Sequence, residues 1–199
     1  MICAVVLAAG RSSRMGAQKL LLPIAGRPMI AGIVDEALQS AVEKVFIVLG
    51  RDAQPVQAAL PGSRVTFVTN PDLDGDMLSS VRCGIRALPS DRTAVLVVLG
   101  DQPGVTSKLI DELIRLFRET GGGIAVPVHQ GKRGHPLLFA GRFCEEILTH
   151  LDATGLRGLL LAHPDQVVEL PVAKASVLED MDTPEQYQRI KAAKGSPLK

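Results

Sequence analysis

Three cations and two glycines crowd the stretch that follows the first apolar run, in Leu7-Ala-Ala-Gly10-Arg11-Ser-Ser-Arg14-Met-Gly16-Ala-Gln-Lys19. Glycines let backbone N–H groups approach an anion, and fixed cations compensate its charge, so this composition suits phosphate binding. The spacing is neither a Walker A loop nor G-x-G-x-x-G, because Lys19 does not adjoin Gly16 and no Ser or Thr follows it. Taken alone, the segment also fits a solvated glycine-rich turn. A second candidate, Val98-Leu-Gly-Asp101-Gln-Pro103, ends the most apolar run of the chain. In open α/β sheets ligands bind at the carboxyl ends of strands, where a carboxylate can hold magnesium against phosphates. An Asp opening a turn before Pro103 is the plainer alternative.

Asp180 and Asp182 alternate in Glu179-Asp-Met-Asp-Thr183-Pro184-Glu-Gln186. Thr183, Pro184 and Gln186 make a capping box at a helix start, and Asp182 could simply favour the helix dipole. Capping does not call for Asp180 as well, and two alternating acids on an extended stretch project to one side, which suits a cation. Asn70, Ser79 and Ser80, in Asn70-Pro-Asp-Leu-Asp-Gly-Asp-Met-Leu-Ser-Ser80, could read a base edge or serve as turn and cap residues. His135, between Gly134 and Pro136, is biased to extended backbone.

The elements that must position these groups follow from hydrophobic patterning. Ile2–Ala8, Val45–Leu49, Val65–Val68 and Ala94–Leu99 are short apolar runs that suit strands buried on both faces of a parallel sheet. Between them Pro28–Ser40, Ala53–Leu60 and Met77–Leu88 read as helices. Thr106–Thr120 is the clearest: Leu109, Ile110, Leu113, Ile114 and Phe117 share a face, Thr106 caps and Gly121 terminates. This alternation predicts right-handed crossovers in a three-layer α/β/α sandwich, an α/β fold. After Gly123 the rhythm changes: Ile124–Val128 and His135–Ala140 read as strands around a Gly131 turn, Phe143–His150 and Thr154–Ala162 as helices, Val167–Leu170 as a strand, and a last helix follows Thr183. The sheet is therefore expected to be mixed but mostly parallel. One domain spanning 1–199, with a fraying tail over 193–199, is expected.

Composition narrows the classes. At 46% apolar and 22% charged, the 199-residue chain is globular rather than disordered. A net charge of +1 and 3% aromatics argue against a nucleic-acid partner. Cys3, Cys83 and Cys144 lie far apart with no CxxC, which fits a reducing cytosol rather than zinc or disulfides. No basic region precedes the first apolar run, and no run reaches membrane-spanning length, so a cytoplasmic location with no membrane partner is expected.

The segments Leu7-Ala-Ala-Gly-x-Ser-x-Arg-Met-Gly-x-x-Lys19, Gly100-Asp-Gln-Pro103, Gly134-His-Pro136 and Asp180-Met-Asp-Thr-Pro184, in that order, resemble the signature of the MobA-like nucleotidyltransferases. The set is most similar to their molybdenum cofactor cytidylyltransferase branch, over nearly the whole chain. The resemblance implies a Rossmann-like fold and Mg2+-dependent transfer of a nucleoside monophosphate from an NTP to a phosphorylated acceptor, with release of pyrophosphate. By position, backbone around Leu7, Ala8, Ala9 and Gly10 would hold base and ribose, and Ser80, with Asn70 and Ser79, would lie at the base pocket. Arg14 would grip the leaving pyrophosphate and Lys19 the α-phosphate. Asp101 and Asp182 would bind the metal, while Gly134, His135, Pro136 and Arg157 would face the acceptor. The resemblance makes CTP and molybdenum cofactor the expected substrates, with a molybdoenzyme as a possible partner. Alternatives are a sugar or polyol phosphate acceptor, or a non-catalytic accessory protein that binds nucleotide or cofactor. Two departures stand out: Gln102 replaces the commoner Met, and Asp76 stands where relatives carry Gly, with Gly75 one position earlier.

Overall fold

The computed structural model describes residues 1–10, 18–51, 53–62, 64–121 and 123–195. In chain order its elements are β1 (Ile2–Ala8), β2 (Pro23–Ile24), β3 (Arg27–Pro28), α1 (Met29–Gln39), β4 (Lys44–Leu49), α2 (Ala53–Ala58), β5 (Thr66–Thr69), α3 (Met77–Ala87), β6 (Ala94–Leu99), α4 (Ser107–Glu119), β7 (Ile124–His129), β8 (Lys132–Arg133), β9 (Leu137–Ala140), α5 (Cys144–Thr149), α6 (Leu156–Ala162), β10 (Val167–Pro171) and α7 (Pro184–Gly195). The main sheet runs β10-β7-β9-β6-β1-β4-β5, with β8 paired to β7. Parallel ladders join β1 to β4 and β6, β4 to β5, and β10 to β7, while β9 runs antiparallel to both β6 and β7. The fold is a Rossmann-like α/β sandwich with a mixed, mostly parallel sheet.

The uninterrupted apolar character of the central strands reflects burial on both faces. Every residue of β6 is buried, and Val5, Val6, Ile47 and Val48 have no exposed surface. Helices α1 and α4 pack side by side, and α3 packs with α5 and across β1, β4 and β5. Thr106 caps α4 by accepting the Leu109 N–H at 3.2 Å. The Thr183–Gln186 box also forms: Gln186 Oε1 accepts from the Thr183 and Asp182 amides, and Thr183 Oγ1 accepts from the Gln186 amide.

At Gly84, α3 lies so close to the sheet that a Cβ would fall 2.5 Å from Val5 Cγ1 and 3.1 Å from Val48 Cγ2. Gly84→Ala is therefore expected to destabilise the fold by about 1–3 kcal/mol through overpacking. Urea unfolding reads this directly, and an unshifted midpoint would mean that α3 lifts without cost.

The structure departs from the sequence reading at several edges. Pro23–Ile24 and Arg27–Pro28 form a two-stranded hairpin that the apolar pattern does not suggest, because two-residue strands leave no periodicity. The Gly131 turn closes a hairpin between β7 and the short β8, after which the chain leaves the sheet and returns as β9, beginning at Leu137 rather than His135. Residues 141–143 form a 3-10 turn ahead of α5, and α6 starts at Leu156 rather than Thr154. The last helix continues through Gly195, past the start of the expected tail. All three cysteines are free thiols.

Candidate functional site

Lys19 opens a 3-10 turn over Lys19–Leu21, anchored by the buried Leu20. Its ammonium donates to Asp101 Oδ2 at 2.5 Å and to Asp182 Oδ1 at 2.6 Å, joining groups 82 and 163 residues distant in sequence. Lys19 is 6% exposed. Burial opposes its charge, but the two hydrogen-bonded carboxylates outweigh that penalty and hold its pKa above the ordinary lysine range. The cluster is thus a permanently charged cation between two acids.

Asp101 lies just beyond β6, where strand turns to loop. The Gly100 amide donates to Leu7 O at 2.9 Å, and a Cβ at Gly100 would lie 2.5 Å from that same oxygen. Only glycine lets β6 pass β1 closely enough to bring Asp101 over the end of β1. The 180–182 segment is held to the same loop, since the Met181 amide donates to Asp101 O at 3.0 Å. Met181 is fully buried, so its neighbours Asp180 and Asp182 turn the other way, as strand-like alternation requires.

Asp180 faces Gln102 rather than Lys19, accepting from Gln102 Nε2 at 2.7 Å. Burial raises the Asp180 pKa, the Gln102 hydrogen bond opposes that rise, and the negative charges of Asp101 and Asp182 add to it. Gln102 is buried, and an apolar side chain there could not donate this bond. Gln102 thereby fixes the third acid of the site. The same two acids, Asp180 and Asp101, act on His135, whose pKa is lowered by burial against their pull.

Leu7, Ala9, Gly10 and Ser80 line one cavity of about 430 Å³ together with Asp101, Asp180 and Asp182. Asp72, Asp74, Gly75 and Asp76 also line it, and sequence reasoning did not single out the first two of these acids. Ala8 is buried in β1 and is not among the lining residues. Asn70 plays a structural part, because its Nδ2 donates to Ser79 Oγ at 3.1 Å and Ser80 Oγ at 3.3 Å, and its Oδ1 accepts from the Asp72 amide at 3.1 Å. Asn70 is 3% exposed, so it ties the 70–80 loop to α3 from behind the cavity. Ser79 Oγ donates onward to Asp72 at 3.3 Å. Asp76 caps α3 through the Ser79 amide at 2.9 Å.

Gly134, His135 and Arg157 border a second cavity, of about 850 Å³, and Pro136 is buried beneath it. Its floor is apolar, with Val126, Leu137, Leu156 and Leu160, and its rim carries Lys132 and Arg133. Asp76 and Met77 line both cavities, so the first turn of α3 is their common wall. Arg14 lies outside the described residues. Among the described residues no set of three or more His, Cys, Asp or Glu side chains could hold a metal by itself. Asp101 and Asp182, already aimed at one cationic atom, instead suit an oxygen-seeking divalent ion that takes its other ligands from substrate and water.

A mostly parallel α/β sheet with its charged cluster beyond the carboxyl ends of β1 and β6 places the chain among the Rossmann-like nucleotide-handling folds. Residues 4–167 match the MobA-like NTP transferase domain, and the chain belongs to that family. It is 27% identical over 183 residues to molybdenum cofactor cytidylyltransferase from Escherichia coli (strain K12), covering 92% of each chain. It is 30% identical over 198 residues to nicotine blue oxidoreductase from Paenarthrobacter nicotinovorans, covering 95% of this chain and 96% of that one. Rv0371c from Mycobacterium tuberculosis H37Rv superposes with a TM-score of 0.85 at 29% identity, over 96% of this chain and 97% of that one. A structure of Rv0371c in complex with manganese superposes at 0.81 and 27% identity, over 96% and 98%. Among the described residues no helix is long and apolar enough to cross a membrane.

Proposed function

We propose that the chain is a divalent-metal-dependent cytidylyltransferase that moves CMP from CTP to the phosphate of molybdenum cofactor and releases pyrophosphate. The observation that carries the reading is the Lys19–Asp101–Asp182 cluster at the edge of the 430 Å³ cavity lined by Leu7 and Gly10. An acceptor phosphate oxygen attacks the α-phosphorus, a new P–O bond forms, and the bond to the β-phosphate breaks with its electron pair leaving on pyrophosphate. The nucleophile is already anionic, so the chain needs no general base and contributes positioning and charge compensation.

In this reading Asp101 and Asp182 hold the metal, Mg2+ in the cell, which when bound neutralises phosphate charge. Lys19 turns from the acids to the α-phosphate, and Arg14 grips the departing pyrophosphate. The larger cavity takes the acceptor: its apolar floor suits a flat ring system, and Arg157, Lys132 and Arg133 suit the phosphate. Similarity to the Escherichia coli molybdenum cofactor cytidylyltransferase supports cytidine and this acceptor. The chain then works in the cytoplasm as one domain and delivers its product to a molybdoenzyme.

The test is pyrophosphate release with each of the four NTPs, with and without molybdenum cofactor, in Mg2+ and in Mn2+. Release only with CTP and cofactor is expected. Release with a sugar or polyol phosphate instead would reassign the acceptor, and NTP binding without release would make the protein an accessory one. Likeness to the oxidoreductase motivates one further arm: oxidation or reduction of nicotine blue without pyrophosphate release would replace the transferase reading.

A further inference from the structure

Arg82 sits on α3, outside both cavities, and makes a three-way contact with the far side of the larger one. Its Nε donates to Ile147 O at 2.8 Å, one terminal nitrogen donates to His150 O at 2.5 Å, and the other to Asp152 Oδ1 at 2.6 Å. The first two acceptors are carbonyls at the end of α5, which a helix C-terminus leaves without intrahelical donors. The guanidinium fork therefore caps α5 and pins the start of the loop that leads to α6.

That loop needs pinning. Leu151, between His150 and Asp152, has φ +73, a left-handed conformation that costs a non-glycine residue of order 1–3 kcal/mol and persists only when neighbours impose it. Arg82 grips the residues on either side of it. The Leu151 carbonyl then accepts from the Thr154 and Gly155 amides at 3.0 and 2.8 Å, closing the turn into α6. At Gly158 a Cβ would lie 2.9 Å from Leu151 Cδ2 and 2.9 Å from Thr154 Cβ, so α6 is seated directly on this turn. The seated helix supplies Leu156, Arg157, Leu160 and Leu161 to the larger cavity, and the first turn of α3 supplies the facing wall. Arg82 is thus the brace between the two walls.

We infer that Arg82 is a positioning residue for the acceptor: by holding the 150–152 turn to α3, it sets the distance of α6 and Arg157 from the nucleotide. This rests on the proposed function for the identity of the acceptor, though not for the brace itself. The test combines amide hydrogen exchange of the free protein with steady-state kinetics, using CTP and molybdenum cofactor, for Arg82→Ala, Arg82→Lys and Gly158→Ala.

Arg82→Ala should speed exchange across residues 150–161 and leave β1 and β6 as protected as before. It should raise KM for the cofactor about tenfold, the equivalent of one lost interaction of ~1.4 kcal/mol, with KM for CTP within about twofold. Arg82→Lys, which keeps the charge without the fork, should fall between. Gly158→Ala, which pushes α6 off the turn while leaving Arg82 in place, should reproduce the shift in cofactor KM. Unchanged exchange over 150–161 in Arg82→Ala, or equal rises in both KM values, would overturn the inference. If wild-type protein releases no pyrophosphate with these substrates, the proposed function falls, and the exchange result alone decides whether Arg82 braces the wall.

Discussion

Asp101→Asn is expected to cut turnover by about 10³-fold, the upper end for removing one preorganised electrostatic group, while leaving the fold intact. Asparagine matches the shape of the carboxylate and can fill the same half-exposed position beyond β6, so the Gly100–Leu7 and Met181–Asp101 backbone bonds survive. Only the charge is lost. In wild type, Asp101 Oδ2 and Asp182 Oδ1 converge on one cation, and halving that pair removes a ligand that magnesium favours strongly. Raising Mg2+ should therefore restore little of the rate, and far-UV circular dichroism should show the native fold, although losing one of the two acids that offset the burial of the Lys19 charge lowers its stability to urea. Near-normal pyrophosphate release from the variant at saturating Mg2+ would sink the metal assignment.

Lys19→Ala is expected to lower kcat by about 10²-fold and to weaken NTP binding much less, because charge compensation matters most where charge develops. The structure sharpens this expectation. Lys19 sits between the acids, so in its proposed role it has to exchange a pair of carboxylates for a phosphate, and that contact strengthens as the reaction proceeds. Removing it also leaves Asp101 and Asp182 facing one another beside Asp180, so the free variant should be destabilised and should recover more stability from added Mg2+ than wild type does. A change confined to KM would instead mean that Lys19 binds ground state and transition state equally.

The central strands, the α4 cap and the Thr183 capping box are legible in the sequence because each is a local pattern: an apolar run, a period, or a spacing of three. The placement of Asp101 is legible for a different reason, since strand ends in α/β sheets are where ligands bind. What cannot be read is which polar groups spend their hydrogen bonds on one another. Asn70 and Ser79 fit base readers or turn and cap residues equally in sequence, and only the structure shows them bonded to Ser80 and Asp72 across the 70–80 loop. Nothing in the sequence pairs Gln102 with a residue 78 positions away, yet its amide lies 2.7 Å from Asp180. The β2–β3 hairpin and the excursion between β8 and β9 escape because their strands are too short to carry a period. Arg82 offers no signal, being one of two arginines on α3 and matching no motif.

The ties that close the site carry a consequence for when the protein becomes competent. Lys19 and Asp182 are 163 residues apart, and 82 separate Lys19 from Asp101. At a translation rate of ~5–20 residues per second, a growing chain carries Lys19 for about 8–33 seconds before Asp182 has been synthesised. During that interval β1, β4, β5 and β6 are already available to pair, but the ammonium has at most one of its two carboxylates. Competence arrives last, from the C-terminal segment docking through Met181 onto a sheet made beforehand. A nascent chain can thus begin to form the cavity beyond β1 before the charge cluster at its edge is complete.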